Sequence, residues 1–146
     1  MLRYTLIHPP LLEVLAAAGH GSRILIADGN YAHRANSHPR ARVIHLNLRP
    51  GLLTVEQVLE VVADAVPIEA AALMRPDDGT APTIDAYYRK HLTESTPLTL
   101  LDRDEFYREC RTPALDATIA TGDRRYFANI LLTIGAMPQG ERTDHV

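Results

Sequence analysis

The sequence predicts an α/β fold built on a largely parallel sheet. Apolar runs of strand length alternate with amphipathic stretches of helix length, which is the pattern that such folds require. Two of the helical stretches begin with capping-box patterns, TVEQ at 54–57 and DRDE at 102–105. A chain of 146 residues is long enough to bury one sizeable core around a sheet of this kind.

The individual elements follow from β-branched or apolar runs for the strands and from start and stop signals for the helices. Pro9 and Pro10 suit the first turn of a helix, and Gly19 suits its end. Helices are predicted at 9–18 and 83–91 and after the caps Thr54 and Asp102, and strands are predicted at 23–27, 43–46, 69–74, 98–101, 117–121 and 129–133.

Charge and cysteine content narrow the class of protein. Fifteen basic and eighteen acidic side chains give a formal charge of −3, which weighs against nucleic-acid binding because phosphate contact requires a basic surface. Cys110 has no second cysteine to pair with in the chain, so a reducing, cytoplasmic location is expected. The apolar runs are far shorter than the roughly 20 residues that span a bilayer. Residues 1–20 also lack a signal-peptide pattern, so no membrane association is expected.

Two polar residues flank the predicted strand at 23–27. Asp28 follows the strand directly, and ligands of parallel α/β sheets bind outside the carboxyl ends of the strands. His20 lies between two glycines in AGHGS, and a histidine can donate and accept a proton near neutral pH. Their joint placement favours a polar crevice around both residues. Two structural interpretations stay open: Asp28 begins an Asp-Gly turn, and His20 caps the end of the first helix.

Other polar groups are less informative. His33, His38 and His45 raise the alternative of a metal-binding protein, but they lack the tight spacing of a dedicated zinc site, so a polar loop is the better interpretation. The segment Arg124–Tyr126 could bind an anion, although a solvated loop is the default interpretation. The chain contains no glycine-rich phosphate-binding motif and no GxSxG nucleophile elbow.

Four segments, taken in order, resemble the D-ribose pyranase / L-fucose mutarotase family. They are LLEVLAAAGHG, ILIAD, RDEFYRE and ATGDRRYFANILLTIGAMP, and the resemblance extends over residues 1–138. It implies a single three-layer α/β/α domain with a central, mostly parallel sheet. The polar tail at 139–146 is expected to be disordered. Members of the family look like ring-shaped homo-oligomers, commonly decamers, whose sites are completed by a neighbouring subunit.

The resemblance implies an isomerase that interconverts the anomers or ring forms of a free aldose, without a metal or a cofactor. His20 matches the family's proton-transfer histidine and is the expected catalytic residue. The substrate-binding positions that the resemblance implies are Asp28, Arg103, Tyr126, Phe127 and Asn129.

These residue types suit the opening of a cyclic hemiacetal. The ring oxygen must receive a proton and the anomeric hydroxyl must lose one, and an imidazole can perform either transfer. General acid–base catalysis of this kind contributes roughly 10²–10⁴-fold to a rate. A carboxylate at Asp28 can accept from two adjacent hydroxyls, and the Arg103 guanidinium can donate a forked pair of hydrogen bonds.

The chain departs from the family pattern at three places. Ser22 stands where the family usually has an aspartate, Phe127 stands where its final motif has a tyrosine, and the loop at 30–41 is longer than usual. Because phenylalanine lacks a hydroxyl, a catalytically impaired sugar-binding or sensing protein of the same fold is the alternative function. Arg103 resembles the fucose branch, whereas HLNLRPGL at 45–52 resembles the ribose branch. An L-fucose-like substrate is favoured over D-ribose because Arg103 lies at the predicted site.

Overall fold

A computed structural model describes residues 1–82 and 84–140. Strands and helices alternate through these residues, as the sequence predicts. The helices are α1 (Pro9–Ala17), α2 (Val55–Ala65), α3 (Asp85–Arg89) and α4 (Arg103–Cys110). The strands are β1 (Arg23–Ala27), β2 (Arg42–His45), β3 (Ile68–Met74), β4 (Leu98–Leu101), β5 (Leu115–Ala120) and β6 (Ile130–Ile134).

The strands form one sheet in the order β2-β5-β1-β6-β3-β4. β1 and β2 both run parallel to β5, and β3 runs parallel to β4. β6 lies between these two groups and is antiparallel to both β1 and β3. The carboxyl ends of the five parallel strands therefore share one edge of the sheet with the first residues of β6.

Both predicted capping boxes are confirmed. The Thr54 side chain accepts from the Gln57 backbone amide at 3.2 Å, and the Gln57 side chain accepts from the Thr54 amide at 2.9 Å. Asp102 and Glu105 make the same reciprocal pair at the start of α4, with distances of 2.8 and 3.2 Å. These pairs satisfy amides that a helix leaves unpaired at its first turn, and so they determine where α2 and α4 begin.

Side chains of β1 alternate between the two faces of the sheet. Ile24 and Ile26 belong to a core that includes residues of α1, α2 and α3. Leu25 and Ala27 belong to a second core with Phe106 of α4. Helices therefore cover both faces, and the architecture is three-layer α/β/α.

Outside α3, the boundaries of the elements differ from the predicted ones by at most two residues, and those of β1 and β4 do not differ at all. The sequence predicts a helix over 83–91, but among the described residues 84–91 only Asp85–Arg89 is helical, so the prediction was too long at its end. The predicted tail at 139–146 lies outside the described residues from position 141 onward. In the described part of the chain, no helix is long and apolar enough to cross a membrane.

Candidate functional site

Two buried aspartates lie beyond the carboxyl ends of neighbouring strands. Ala27 of β1 pairs with Ala120 of β5, so the chain leaves both strands at the same edge. Asp28 and Asp123 follow these strand ends, and each is only 2 % exposed. The amide of Gly29 donates to the carbonyl of Asp123 at 2.8 Å. A Cβ at Gly29 would stand 3.1 Å from that oxygen, so glycine permits this close approach of the two loops.

The Asp28 carboxylate is held by backbone amides. Its Oδ1 accepts from the Asn30 amide at 2.9 Å, and its Oδ2 accepts from the Ala128 amide at 3.3 Å. Burial raises the pKa of Asp28 above its ordinary value; these amide bonds oppose the rise, and the charge of Asp123 adds to it. A carboxylate has about four lone-pair sites, so capacity remains to accept from a ligand hydroxyl.

Asp123 has its charge compensated within the protein. Its Oδ2 accepts from the Val55 amide at the start of α2 at 2.9 Å and from Nη2 of Arg125 at 2.7 Å. Its Oδ1 accepts from the amide and Nε of Arg125 at 3.0 and 3.1 Å. Burial alone would raise the pKa of Asp123, but the Arg125 and amide hydrogen bonds hold it below its ordinary value. Asp123 therefore acts as a structural anion that joins the loop after β5 to α2.

The residues just before β6 complete the polar end of the sheet. Asn129 is 3 % exposed, and its Oδ1 accepts from the Asp28 amide at 2.8 Å. No described residue accepts a hydrogen bond from its Nδ2, so that group can donate to a ligand. The preceding carbonyl, Ala128 O, accepts from the buried Tyr88 hydroxyl at 2.6 Å. α3 thus supports the segment whose amides and side chains contact Asp28.

Arg103 and Phe127 contact each other and line the same pocket as Asp28. Arg103 begins α4, and its Nη2 lies 2.5 Å from Oδ2 of Asp77. Its guanidinium carbon lies 5.8 Å from the centroid of the Phe127 ring, within the range of a cation–π contact. Phe127 has a φ of 57°, a left-handed conformation that residues other than glycine rarely adopt. Strained backbone of this kind is concentrated at functional sites.

These side chains surround a pocket of about 140 Å³. All five residues that the resemblance implies for sugar binding line it, namely Asp28, Arg103, Tyr126, Phe127 and Asn129. The pocket combines a carboxylate acceptor, amide and guanidinium donors and an aromatic ring. This combination can bind a polyhydroxylated ring, whose hydroxyls need both donors and acceptors and whose C–H groups pack on apolar surface.

His20 is not part of this pocket. The amide of the next residue, Gly21, donates to the carbonyl of Ile134 at the end of β6, so His20 lies at the opposite edge of the sheet from Asp28. The five residues of β1 alone span about 13 Å at 3.3 Å per residue. The predicted crevice around both residues of one chain is therefore wrong. The two residues flank the same strand, but the ends of a strand point to opposite edges of its sheet.

His20 has a carboxylate neighbour at its own edge. Its Nε2 lies 2.7 Å from Oε2 of Glu69 at the beginning of β3, and its side chain is 62 % exposed. Ser22 closes the turn that carries His20, because its Oγ accepts from the Gly19 amide at 3.1 Å. The imidazole is thus oriented by one carboxylate and is otherwise accessible.

The arrangement of His33, His38 and His45 gives no support to the metal-binding alternative. The rings of His33 and His45 stand with centroids 6.5 Å apart, and His33 Nε2 lies 3.1 Å from the Asp28 carbonyl oxygen. His38 instead accepts from the Arg40 amide through Nδ1, at 3.3 Å. In residues 1–82 and 84–140, no three histidine, cysteine or acidic side chains are grouped so that they could hold a metal ion.

Sequence reasoning missed Asp123, and it missed four of the residues that line the pocket around Asp28. Asn30, Tyr31, Met74 and Tyr107 also line the pocket. A signal for Asp123 was present, because Gly-Asp follows the strand β5 much as Asp-Gly follows β1, and the carboxyl ends of parallel strands meet at one edge. The tyrosines and Met74 carried no such signal, since each also suits an ordinary core position.

Comparison with known proteins agrees with this architecture. The family model described as the RbsD / FucU transport protein family matches residues 1–137. The chain is similar in fold to Bacillus subtilis RbsD complexed with D-ribose, at 23 % identity over 94 % of this chain and 100 % of that chain, with a TM-score of 0.80. It is also similar to the fucose mutarotase in complex with L-fucose from Streptococcus pneumoniae, at 26 % identity over the same shares, with a TM-score of 0.80.

A third similar structure is FucU from Bifidobacterium longum. It is 27 % identical over 90 % of this chain and 96 % of that chain, with a TM-score of 0.76. The family match spans nearly the whole chain, and the structural matches extend over nearly all of each relative. The chain therefore belongs to the RbsD / FucU transport protein family.

Proposed function

We propose that this protein is an isomerase that accelerates anomer or ring-form exchange of a free monosaccharide bound at the pocket around Asp28. The observation that carries this proposal is the pairing of Asp28 with Asn129 in one pocket. The Asp28 carboxylate keeps lone pairs for hydroxyl donors, and the Asn129 Nδ2 group is left to donate because its Oδ1 is already bonded to the Asp28 amide at 2.8 Å. Two relatives of similar fold were solved with D-ribose and with L-fucose.

The remaining pocket residues determine how a sugar would lie. Arg103 can donate a forked pair of hydrogen bonds to a ligand. One of its guanidinium nitrogens, Nη2, already donates to Oδ2 of Asp77 at 2.5 Å. The Phe127 ring offers an apolar face for C–H groups, and the exposed Tyr126 hydroxyl can reach a ligand at the opening. Arg103 favours an L-fucose-like substrate over D-ribose, because it resembles the residue of the fucose branch and lines the pocket.

The histidine that the family resemblance implies for proton transfer does not line this pocket. His20 is exposed at the opposite edge of the sheet, where it is free to enter the pocket of another subunit. We therefore assign His20 of a neighbouring copy as the general acid and base that exchanges protons with the ring oxygen and the anomeric hydroxyl. The active species is then a homo-oligomer, with a decamer expected from the family resemblance, and it needs neither metal nor cofactor for this chemistry.

The activity can be tested by NMR saturation exchange on L-fucose and D-ribose. Wild-type protein should increase the exchange rate between anomers, and the His20→Ala and Asp28→Asn variants should each lose most of that increase. His91→Ala is a matched control, because His91 also contacts a glutamate, Glu56, at 3.3 Å but lies outside the pocket. An unchanged exchange rate for wild-type protein across a panel of aldoses would contradict the proposal.

Sharing of the site between copies has its own test. His20→Ala and Asp28→Asn subunits are denatured together and refolded into mixed oligomers. If one copy supplies the histidine and another the carboxylate, the mixture regains part of the lost activity, whereas each variant refolded alone stays inactive. No recovery in a mixture shown by mass spectrometry to contain both subunits would contradict a shared site.

A sugar-binding protein without catalysis is the second candidate function. The specific observation in its favour is Phe127, which lines the pocket at a position where the family motif has a tyrosine and which supplies no hydroxyl. Calorimetry that detects binding of a monosaccharide, together with an unchanged exchange rate, would select this function over the isomerase.

A further inference from the structure

A second and larger pocket adjoins the sugar pocket. It has a volume of about 530 Å³, and it shares Asn30 and Tyr126 with the smaller pocket around Asp28. Asn30 and Tyr126 therefore border both pockets, so the larger pocket lies directly beside the one around Asp28. Nothing in the proposed exchange of an unsubstituted monosaccharide uses this space.

The wall of the larger pocket is built rigidly onto the loop after β5. Gly51 donates from its amide to the Gly122 carbonyl at 2.6 Å, and the Gly122 amide donates to the Leu53 carbonyl at 3.1 Å. A Cβ at Gly122 would stand 2.3 Å from the Leu52 carbonyl oxygen, so only glycine permits this packing. The groups carried by the 49–53 segment are thus held in position relative to Asp28, since Gly29 is bonded to the Asp123 carbonyl in the same loop.

The charge in this pocket is positive. Arg49 and Arg124 both line it and are exposed, and neither forms an ion pair with a carboxylate among residues 1–82 and 84–140. Asp123 is the one acidic side chain in the lining, and its two oxygens are already bonded to Arg125 and to the Val55 amide. Two guanidiniums therefore face the space, and none of the described carboxylates offsets their charge, in a chain whose formal charge is −3.

We infer that the larger pocket binds an anionic substituent of the sugar, so that the preferred substrates are aldoses that carry a phosphate or a carboxylate. This inference rests on the proposed function, because it assigns the sugar ring to the pocket around Asp28. Guanidinium groups bind both phosphate and carboxylate by paired hydrogen bonds. The substituent must lie away from the anomeric carbon, since exchange requires a free anomeric hydroxyl. A group at the far end of the ring satisfies that requirement.

The inference can be tested with D-glucose, D-glucose 6-phosphate and D-glucuronate, which share one ring and differ in charge at C6. Binding is measured by calorimetry and anomer exchange by NMR on the assembled protein. The charged sugars should bind about tenfold or more tightly than glucose, as expected for hydrogen bonds to charged groups. The Arg49→Gln/Arg124→Gln double variant should bring this ratio close to one, and added salt should lower it in wild-type protein.

A matched control is the Arg34→Gln/Arg40→Gln double variant. These arginines are exposed, line neither pocket and change the net charge by the same amount, so the preference for the charged sugars should persist. A preference for the phosphate alone or for the glucuronate alone would support the inference and identify the anion. Equal binding of all three sugars, or a preference that survives in the Arg49→Gln/Arg124→Gln variant, would overturn it.

Three further outcomes are distinguishable. If the Arg49→Gln/Arg124→Gln variant changes the oligomeric state by light scattering, the arginines belong to a contact between copies and the inference is overturned. If neutral aldoses undergo accelerated exchange but charge brings no advantage, the inference fails while the proposed function stands. If no aldose of either kind binds or exchanges, the proposed function fails, and the inference fails with it.

Discussion

Oε2 of Glu69 lies 2.7 Å from Nε2 of His20, at the edge of the sheet opposite the pocket around Asp28. An ionised carboxylate only accepts hydrogen bonds, so the imidazole donates from Nε2 and keeps Nδ1 for a second partner. Glu69 therefore orients the expected catalytic group in the way that carboxylates orient histidines in many acid–base sites. It is a positioning residue, because it touches the imidazole and not the pocket.

The Glu69→Ala variant should lower kcat for anomer exchange by about fivefold or less, with KM little changed. The expected decrease in kcat is small because the side chains of His20 and Glu69 are both substantially exposed, and exposed ion pairs contribute about 1 kcal/mol at most. Steady-state NMR exchange at several sugar concentrations separates the two constants. The Glu56→Ala variant, which removes the partner of His91, is the control and should leave both constants unchanged. A rise in KM with an unaltered kcat would contradict a positioning role.

Removing the Tyr88 hydroxyl should destabilise the protein and weaken sugar binding together. Tyr88 is fully buried and its hydroxyl donates to Ala128 O at 2.6 Å, so Tyr88→Phe leaves a carbonyl unsatisfied at a cost of about 1–2 kcal/mol. The urea midpoint measures the loss of stability, and calorimetry measures the affinity. Tyr87→Phe is the control, because Tyr87 is 47 % exposed and should change neither quantity. Equal midpoints for the two variants would refute this expectation.

The Asp123→Asn variant should lose about 1–3 kcal/mol of the free energy of unfolding. The asparagine amide has one acceptor oxygen, whereas the two carboxylate oxygens of Asp123 now accept four hydrogen bonds. The positive charge of Arg125 also loses its partner. The loss of unfolding free energy is limited because the Arg125 side chain is 39 % exposed and water can solvate it. Chemical denaturation with an unchanged m-value measures it. Glu13→Gln breaks an ion pair whose glutamate is 71 % exposed and should cost under about 0.5 kcal/mol. A loss no greater than this control would show that Asp123 is not a structural anion.

Asp28 and Asp123 should affect the pH dependence of stability in opposite directions. The pKa of Asp28 is raised by burial, so the folded state binds more protons than the unfolded chain, and stability falls as the pH rises from about 4 through the folded pKa. The pKa of Asp123 is lowered, so its contribution is present above pH 4 and is lost as the pH falls through the folded pKa.

The Asp28→Asn variant tests the first of these signs. Asparagine does not titrate, so the stability of the variant relative to wild type should increase between pH 4 and pH 7, whatever constant offset the amide introduces. Urea midpoints at several pH values give this difference. A difference that stays flat, or that falls toward neutral pH, would contradict a raised pKa for Asp28. Asp123→Asn should show the reverse trend, with its deficit largest at neutral pH.

Local patterns were sufficient for much of this fold. The capping boxes at Thr54 and Asp102 mark helix starts because they are made by residues three apart, so no distant contact is needed to form them. The strands at 23–27 and 98–101 were predicted without error, since short apolar runs between turn signals admit few other structures. The helix at 83–91 was overestimated because helical propensity does not reveal where tertiary packing stops supporting a helix.

The candidate site required more than local pattern. Asp28, Arg103 and Asn129 were predicted from residue type and family resemblance, and the order of strands in the sheet brings them into one pocket. The separation of His20 from Asp28 was missed, because nearness in sequence says little about nearness in space when a whole strand intervenes. Asp123 was also missed, since its importance comes from Arg125 and Val55, and the contact with Val55 joins residues 68 apart.

The sequence by itself determined the α/β class, the starts of α2 and α4, the family and most of the residues that line the pocket around Asp28, because each depends on side-chain type and short-range order. Only the tertiary structure decided that the antiparallel β6 lies between two groups of parallel strands. This strand order also determines which residues lie at the same edge of the sheet. That placement puts Asn129 against Asp28 and leaves His20 at the far edge. The physical reason is that strand pairing depends on contacts between distant residues, which no local pattern specifies.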